Sequence, residues 1–564
     1  MPVSILGLPK TYKNLQRLQF IVNVLLKHGF GSLIDQLNLQ RMVGLGRRLG
    51  RRRLRQEPVT ALSMAEHLRM VMEELGPCFI KFGQILSSRP DLVPPEFIKE
   101  FKKLQEHVTP ISFQMIKAQI ERQFGRSLND VFKSFEQTPC ASASISQVHF
   151  AELHDGMQVV VKVQRPGISR IISSDINILL FFAQLMEKYI PESRNYRPLD
   201  IVNEFSDSIN RELDFRLEGN NMERFQANFA DEPGLHIPSV HWGYTGREVL
   251  TMERLTGFPV DNPAELAAHG LDPADLARRG GQYIMRMVFE HGFFHADPHP
   301  GNFFIQADGV IALLDFGMVG RLDREQKESL ADLFVALLER DYGRMVEKLE
   351  RMGFEIPEGS ERSLRRDLQD LIEPYYGREL QQLDLGDILQ RIMEVTLKQH
   401  IRFPSEYLMM TRALVIIEGV GRTLDPQLDM ISLARPMAAN IIQERLNPRR
   451  LAAEAYRTAR DFNDFLKLLP RQLGSMLKKL NSGTLRIEFL HEGLEDLLGE
   501  IDRASNRITF GLLITGLVVG SSLVMSTEKG PSLLGYPAFG VVGYGIAGIL
   551  GVWLLISILR SGRL

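Results

Sequence analysis

The chain has 564 residues, room for two or more domains with sizeable cores, and its 67 Lys and Arg against 69 Asp and Glu leave a formal net charge of −2. That balance gives no general attraction to polyanions, so nucleic acid is not an expected partner. Cys78 and Cys140, the two cysteines, cannot build a disulfide framework; they suit a reducing compartment, and neither lies in a Cys/His cluster with zinc spacing.

Leu15, Leu18, Ile21, Val22, Leu25 and Leu26 recur at helical spacing and predict an amphipathic helix packed on protein. The apolar run Phe20 to Leu26 is too short and too closely flanked by charge for an export signal. Arg47, Arg48, Arg51, Arg52, Arg53 and Arg55 crowd into nine positions. They suit either a solvated helix face or an anionic surface such as lipid headgroups. Met64 to Glu74 is apolar-periodic and stops at Gly76-Pro77. Phe79 to Leu86 resumes until Arg89-Pro90 and Pro94-Pro95 break it. Pro95 opens a helix through Leu104, and Ile111 to Phe124 is another.

The texture then changes. Ser146 to Leu153 alternates, Asp155-Gly156 is a hairpin signal, and Val159-Val160-Val161-Lys162-Val163 is a β-branched strand ended by Arg165-Pro166-Gly167. Helices follow at about 168–190 and 198–228, then a strand at Val249 to Glu253. An amphipathic helix over 274–291 leads into His295-Ala-Asp-Pro-His-Pro-Gly-Asn302. Phe303 to Gln306 and Val310 to Leu314 are short strands joined across Asp308-Gly309. From Asp323, which with Gln326 resembles a capping box, to about 446 the pattern is helical. Residues 447–505 are charged and helical.

The C-terminus differs in kind. Ile508 to Met525 carries no charge over 18 positions and Phe539 to Leu559 none over 21. Each can span a hydrocarbon core about 30 Å thick, so the pair predicts a transmembrane hairpin turning at Gly530-Pro531 and Gly535-Tyr536-Pro537. Gly516-x-x-x-Gly520 and Ala547-x-x-x-Gly551 put small residues on one face of each helix, which allows close backbone approach. Arg503, Arg507, Arg560 and Arg563 flank the outer ends, while Lys529 beside Glu528 is the loop's cation. The positive-inside rule therefore predicts residues 1–507 and the C-terminus on the cytoplasmic side.

Chemistry concentrates around residue 300. Asp297 and Asn302 lie five residues apart, and Asp315-Phe316-Gly317 follows. Phosphotransferases of the protein-kinase type use such a set, one Asp facing the acceptor while an Asn and a second Asp hold Mg²⁺ on ATP. His295 and His299 are spaced i,i+4, but Pro298 and Pro300 argue against the helix that a zinc site would need. Lys162, costly to bury alone, matches the strand lysine that grips ATP phosphates. Its acidic partner is open among Glu212, Asp214 and Glu218; in a continuous helix the last two would be i,i+4 neighbours. Pro139-Cys-Ala-Ser-Ala-Ser-Ile-Ser146 is a small-residue run that lets backbone N–H groups approach phosphate, although a tightly packed turn explains it equally well. Only a few residues separate Gly317 from the helix at Asp323. That leaves no segment on which to dock a peptide, and it counts against protein substrates.

Together these residues resemble the UbiB/ADCK family of atypical kinase-like proteins, most closely its bacterial members. The resemblance rests on Lys81-Phe-Gly-Gln84, Ala141-Ser-Ala-Ser144 with Ile-Ser-Gln-Val-His149 after it, Glu212-Leu-Asp214 and the His-Ala-Asp-Pro-His-Pro-Gly-Asn loop, and covers about residues 15–450. It implies an α+β, bilobal protein-kinase-like fold with a helical N-terminal extension (1–130), an N-lobe (131–257), a C-lobe (258–446), a helical connector (447–507) and the hairpin (508–559). It implies that Ala141, Ser142, Ala143, Ser144, Ile145, Ser146, Gln147, Val148 and Lys162 bind ATP, that Glu218 pairs with Lys162, and that Asp297 is the catalytic Asp. Asn302 and Asp315 would be the Mg²⁺ ligands. Lys81 and Gln84 would lie over the nucleotide cleft and occlude a peptide site, with Glu212 and Asp214 contacting them. The expected function is a membrane-anchored ATPase serving ubiquinone biosynthesis at the bacterial inner membrane. Its expected partners are membrane lipids, quinone precursors and other quinone-biosynthesis proteins, and an oligomer is compatible with the sequence. The alternatives are a nucleotide-binding scaffold and a small-molecule or protein kinase.

Overall fold

The computed structural model describes residues 12–37, 62–104 apart from 88, 90 and 91, 109–373 apart from 358, 401–445 apart from 402, and 494–560 apart from 527–530 and 534–535, with isolated positions between. The Arg47–Arg55 cluster, Arg563 and most of the 447–507 connector lie outside the described residues. The chain forms two compact units, Met1–Ala453 and Glu454–Leu564.

The first unit opens with helices α1 (Tyr12–Lys27), α2 (Gly31–Gln36), α3 (Met64–Leu75), α4 (Pro77–Ser87), α5 (Pro95–Phe101), α6 (Phe113–Phe124) and α7 (Leu128–Val131). A full capping box between Ser63 and Glu66 starts α3, and Gly76 at φ +97 ends it. A five-stranded sheet follows: β1 (Ser134–Phe135), β2 (Ala141–Ser142), β3 (Ser146–Glu152), β4 (Gln158–Gln164) and β6 (Val249–Glu253), in the order β1-β3-β4-β6 with β2 on β3. The β3–β4 hairpin turns at Gly156, φ +90, a conformation that costs glycine nothing.

Alternation along β4 sorts its side chains between two faces. Val159, Val161 and Val163 are fully buried with Ile116, Ile120, Leu128 and Val131 of α6 and α7. Val160 and Lys162 therefore point the other way, and Val160 packs on the C-lobe core.

Helix α8 (Ile168–Tyr189) packs on α1, α4 and α9 (Pro198–Glu212), and α10 (Phe215–Asn228) follows. The continuous helix expected over 198–228 is in fact broken. Gln164 Nε2 takes the Leu213 carbonyl at 2.7 Å and Phe215 N–H bonds Arg247 O, while Asp214 becomes the N-cap of α10. Helix α8 is apolar and long enough to cross a membrane, yet half of it is buried inside this unit and it carries Asp175, clamped by both Nε and Nη2 of Arg17. It is a core helix.

The lower lobe holds β5 (Leu235–His236), β7 (Phe258–Pro259), α11 (Pro263–Ala268), α12 (Pro273–Met285), β8 (Phe293–His295), β9 (Phe303–Ile305), β10 (Ile311–Leu313) and β11 (Val319–Arg321). A π-helical turn, Arg286–His291, carries α12 into β8. The strands pair as β5-β10-β9-β7 and β11-β8. Helices α13 (Arg324–Glu339), α14 (Tyr342–Arg351), α15 (Glu361–Ile372), α16 (Ser405–Leu424) and α17 (Met430–Arg445) complete it. The Asp323/Gln326 capping box is present.

The second unit pairs α18 (Leu494–Met525) with α19 (Ala538–Arg560), joined by the short strands β12 (Ser532–Leu533) and β13 (Tyr536–Pro537). Residues 504–525 and 538–555 are long and apolar enough to cross a membrane. The helices touch through Ser521 and Met525 against Gly540 and Gly543, Ser522 against Tyr544, and Phe510 against Trp553. The small-residue expectation needs correction here. Ala547 is buried, but a Cβ added at Gly516, Gly520 or Gly551 would meet nothing within 4 Å, so that stripe is not what joins these two helices.

Candidate functional site

Lys162 leaves β4 toward the cleft between the lobes. Its Nζ lies 2.9 and 3.0 Å from the two carboxylate oxygens of Glu218 on α10 and 3.6 Å from Asp315 Oδ1. Burial opposes the ammonium charge, but the Asp315 and Glu218 carboxylates outweigh it, and the Lys162 pKa rises. Burial pushes the Glu218 carboxyl up, against the pull of Lys162. Lys162 holds the Asp315 carboxyl down to about 2. Of the three acids left open by the sequence, Glu218 is the one on Lys162. The helix break decides this, because it turns α10 so that Glu218 and Asn221 both face the cleft core.

Asn221 Nδ2 donates to Phe316 O at 3.0 Å, and Phe225 on the same helix meets the Phe316 ring at a tilt, centroids 5.1 Å apart. Asp315 itself has φ +51, a left-handed conformation costing roughly 1–3 kcal/mol for a non-glycine residue. Its Oδ1 accepts the Gly317 N–H at 3.1 Å, which offsets part of that cost.

The loop after β8 is tied to itself. His295 is fully buried; its Nδ1 accepts Asp297 N–H at 3.2 Å, so Nε2 carries the hydrogen that Leu314 O accepts at 3.1 Å. Asp297 O accepts from His299 N–H and from Asn302 Nδ2 at 3.0 Å, and Asn302 O accepts Leu314 N–H. His299 Nδ1 accepts Gly301 N–H. The two imidazoles thus serve different backbone contacts, and among the described residues no group of three His, Cys, Asp or Glu could hold a metal ion. After Gly317 the chain runs straight into β11, which pairs back on β8 (Val319 opposite His295), and Asp323 already caps α13. No peptide-docking segment intervenes.

On the extension, Lys81 Nζ lies 3.4 Å from Glu212 Oε2 with both side chains largely buried, and the Lys81 charge reaches Asp315. Gln84 Nε2 donates to Leu104 O. Asp214 turns instead to Arg216, whose backbone and guanidinium both bond it, so Glu212 is the acid that meets Lys81.

The Ala/Ser loop is less open than a phosphate cradle would be. Arg165 ties it down through Ala143 O at 2.9 Å and Ser142 Oγ at 2.8 Å, and Ala143 N–H bonds Ser146 O. Ile145 packs into the helical-extension core and Gln147 faces Ile111 and His149. Ala141 and Ser142 form β2, Ser146 begins β3, and Val148 opposes Lys162 in the β3–β4 register. Ser144 is fully buried, its hydroxyl without a hydrogen-bond partner.

Sequence reasoning passes over Arg412, on α16. Its Nη2 donates to Asp297 Oδ1 at 3.0 Å. The signal was available: Arg412 is the one charged residue from Leu408 to Ile417, and a cation in an apolar helix asks for an anionic partner. Asn221 escapes notice because it acts on a backbone carbonyl, and Arg165 because it acts on a carbonyl and on a hydroxyl 23 positions away, contacts that no sequence pattern marks.

A β-sheet lobe carrying Lys162–Glu218 above an Asp297/Asn302 loop and a strained Asp-Phe-Gly turn defines a kinase-like protein with a shortened segment after that turn. The comparisons with known proteins agree. The ABC1 atypical kinase-like domain matches residues 103–349, the UbiB helical domain 368–429 and the ABC1/UbiB kinase-like C-terminal domain 492–560. The chain belongs to the ABC1/UbiB family of atypical kinase-like proteins. It is 33% identical to the "Probable protein kinase UbiB" of Xanthomonas campestris pv. campestris strain B100, over 96% of this chain and all of that one. It is 32% identical to the protein of the same name in Xylella fastidiosa strain 9a5c, over 95% and 98%. It is also 31% identical to the "Uncharacterized protein in hydrogenase 1 5'region" of Clostridium pasteurianum, over 97% and 99%. A solved structure, the Rv3197–erythromycin complex from Mycobacterium tuberculosis, is 24% identical, with 66% of this chain and 95% of that chain covered at a TM-score of 0.47.

Proposed function

We propose that the chain is a membrane-anchored ATPase that supports ubiquinone biosynthesis, using ATP to handle lipid precursors or to organise pathway enzymes. The observation that carries this reading is the charge set in the cleft: Lys162 held on Glu218 and Asp315, beside a loop that fixes Asp297 and Asn302. Lys162 would meet the α- and β-phosphates, and Asp297 would orient the attacking water. Asn302 and Asp315 offer hard oxygen atoms, and the Asp315 carboxylate is half-exposed and held ionised, which fits Mg²⁺. Mg²⁺ usually takes one or two carboxylates plus phosphates and water, so this pair would bind it together with nucleotide. The ion would neutralise phosphate charge. Water is favoured as acceptor because the run from Gly317 to Asp323 is too short to seat a peptide.

The apolar helices at 504–525 and 538–555 would span the bacterial inner membrane as a hairpin, with residues 1–507 and the C-terminus cytoplasmic. Membrane lipids, quinone precursors and other quinone-pathway proteins would be its partners, and oligomers are compatible with this arrangement. The names of the Xanthomonas and Xylella relatives support the ubiquinone assignment. Lipid extraction from a deletion strain tests it: an early prenylated quinone precursor should accumulate, and a normal quinone profile would overturn the assignment.

A second reading, a nucleotide-binding scaffold, draws on the engagement of Asp297 by Arg412, which occupies one oxygen of the carboxylate that hydrolysis would need for the attacking water. Full complementation of the deletion strain by Asp297→Asn, with none by Lys162→Ala, would favour it.

A further inference from the structure

Phosphoryl transfer concentrates negative charge on the oxygens of the γ-phosphoryl group, and catalysis there is mostly positioning and charge stabilisation. From Asp297 to Asn302 the loop carries no Lys or Arg. Lys162 is engaged by Glu218 and Asp315, and Lys81 by Glu212. The cation that reaches Asp297 comes from more than a hundred residues away: Arg412 Nη2 lies 3.0 Å from Asp297 Oδ1.

Its carrier is well packed. Tyr407, Leu408, Met410, Ala413, Leu414 and Ile417 on α16 are buried. The helix packs on both α12, which feeds the loop, and β11, which follows Gly317. The pair itself is half-open, with Arg412 and Asp297 side chains 35% and 32% exposed. A pair that served only to hold the fold together would give little stability at that exposure. A group meant to meet substrate must instead stay reachable.

We propose that Arg412 is an arginine supplied in cis to the γ-phosphoryl group and held in place by Asp297. A guanidinium presents five N–H donors in a planar fork, so one edge can keep Asp297 oriented while the other takes a phosphate oxygen. This rests on the ATP-hydrolysis reading above. In the step it assists, a water oxygen bonds to the γ-phosphorus. The bond from that phosphorus to the bridging oxygen breaks, and its electron pair leaves on ADP. The water protons pass to the released phosphate and to solvent.

The test uses the full chain in vesicles of phosphatidylcholine with an anionic phospholipid. Arg412→Ala should lower kcat roughly 10³-fold, the low end for such an arginine, with KM for ATP changed only a few-fold. Arg412→Lys should recover part of the loss, and added guanidinium should partly rescue Arg412→Ala. Arg412→Ala placed on Asp297→Asn should lose further activity; no further loss would mean that Arg412 acts only through Asp297 and would overturn the proposal. A second measurement needs no turnover. ADP with Mg²⁺ and aluminium fluoride mimics the planar transferring group. Wild type should bind it more tightly than ADP, and Arg412→Ala should lose that difference while binding ADP normally. Equal binding of the mimic by wild type and Arg412→Ala would overturn the proposal. If wild type hydrolyses no ATP, the ATPase reading fails by itself, and the mimic still decides the role of Arg412.

Discussion

Glu218→Gln removes one charge from the cleft and keeps its shape. The Lys162 and Glu218 side chains are 14% and 6% exposed, so the lysine stays buried with one counter-charge fewer. Removing one partner of a buried pair costs roughly 3–5 kcal/mol. Asp315 remains 3.6 Å away. At an effective dielectric of about 20, the gross attraction is roughly 6 kcal/mol for the 2.9 Å contact and roughly 5 for the 3.6 Å contact. Nearly half of the attraction therefore survives, and the loss should fall near the low end, about 3 kcal/mol. For a unit of this size that is a fall of roughly 3 °C in melting temperature, read on the nucleotide-free full chain. Lys162→Met with Glu218→Leu replaces the pair by apolar groups; it should regain most of that stability and bind no ATP. A Glu218→Gln variant within about 0.5 kcal/mol of wild type, or a double variant less stable than the single, would refute the reasoning.

The Asp315 carboxyl is depressed from 3.8 to about 2, so its stabilising contribution is present above pH about 4 and fades as pH falls through about 2. The melting-temperature gap between wild type and Asp315→Asn should stay flat from about pH 8 to 5, and a gap already closing near pH 6 would contradict the assignment. A Cβ at Gly83 would push on the ends of the buried Leu104 and Met72 side chains; overpacking of roughly 1–3 kcal/mol less about 1 kcal/mol of helix propensity gained leaves Gly83→Ala costing about 0–2 kcal/mol, read by thermal unfolding. Ser144→Ala removes a buried hydroxyl with no hydrogen-bond partner; thermal unfolding should show unchanged or slightly higher stability, and a loss beyond about 1 kcal/mol would reveal a partner for it.

The parts of the fold with strong local signals were legible. Val159, Val161 and Val163 announce a strand by alternation, Gly156 its turn, and Asp323 with Gln326 the start of α13. The break between α9 and α10 was not, because Arg211-Glu-Leu-Asp-Phe-Arg-Leu-Glu218 has good helical periodicity. The helix ends there because Gln164, 49 positions earlier, captures the Leu213 carbonyl. That tertiary contact also determines which acid reaches Lys162. Gly516 and Gly520 teach the opposite lesson: small residues at i,i+4 permit close approach, but Ser521, Gly540 and Gly543 make the contact seen between α18 and α19. Arg412 stands out as a lone cation in an apolar helix, but its distance in sequence hides which anion it meets, since that depends on how α16 packs against α12 and β11.

The central claim is that the cleft hydrolyses ATP at a membrane. The most direct measurement is phosphate release by the full chain in vesicles with and without anionic phospholipid, for wild type and Asp315→Asn. The charge set around Lys162 predicts Mg²⁺-dependent turnover that is lost in Asp315→Asn, and the proposed membrane anchoring by the two apolar helices predicts turnover that rises with anionic lipid. Equal turnover by the two proteins would contradict it.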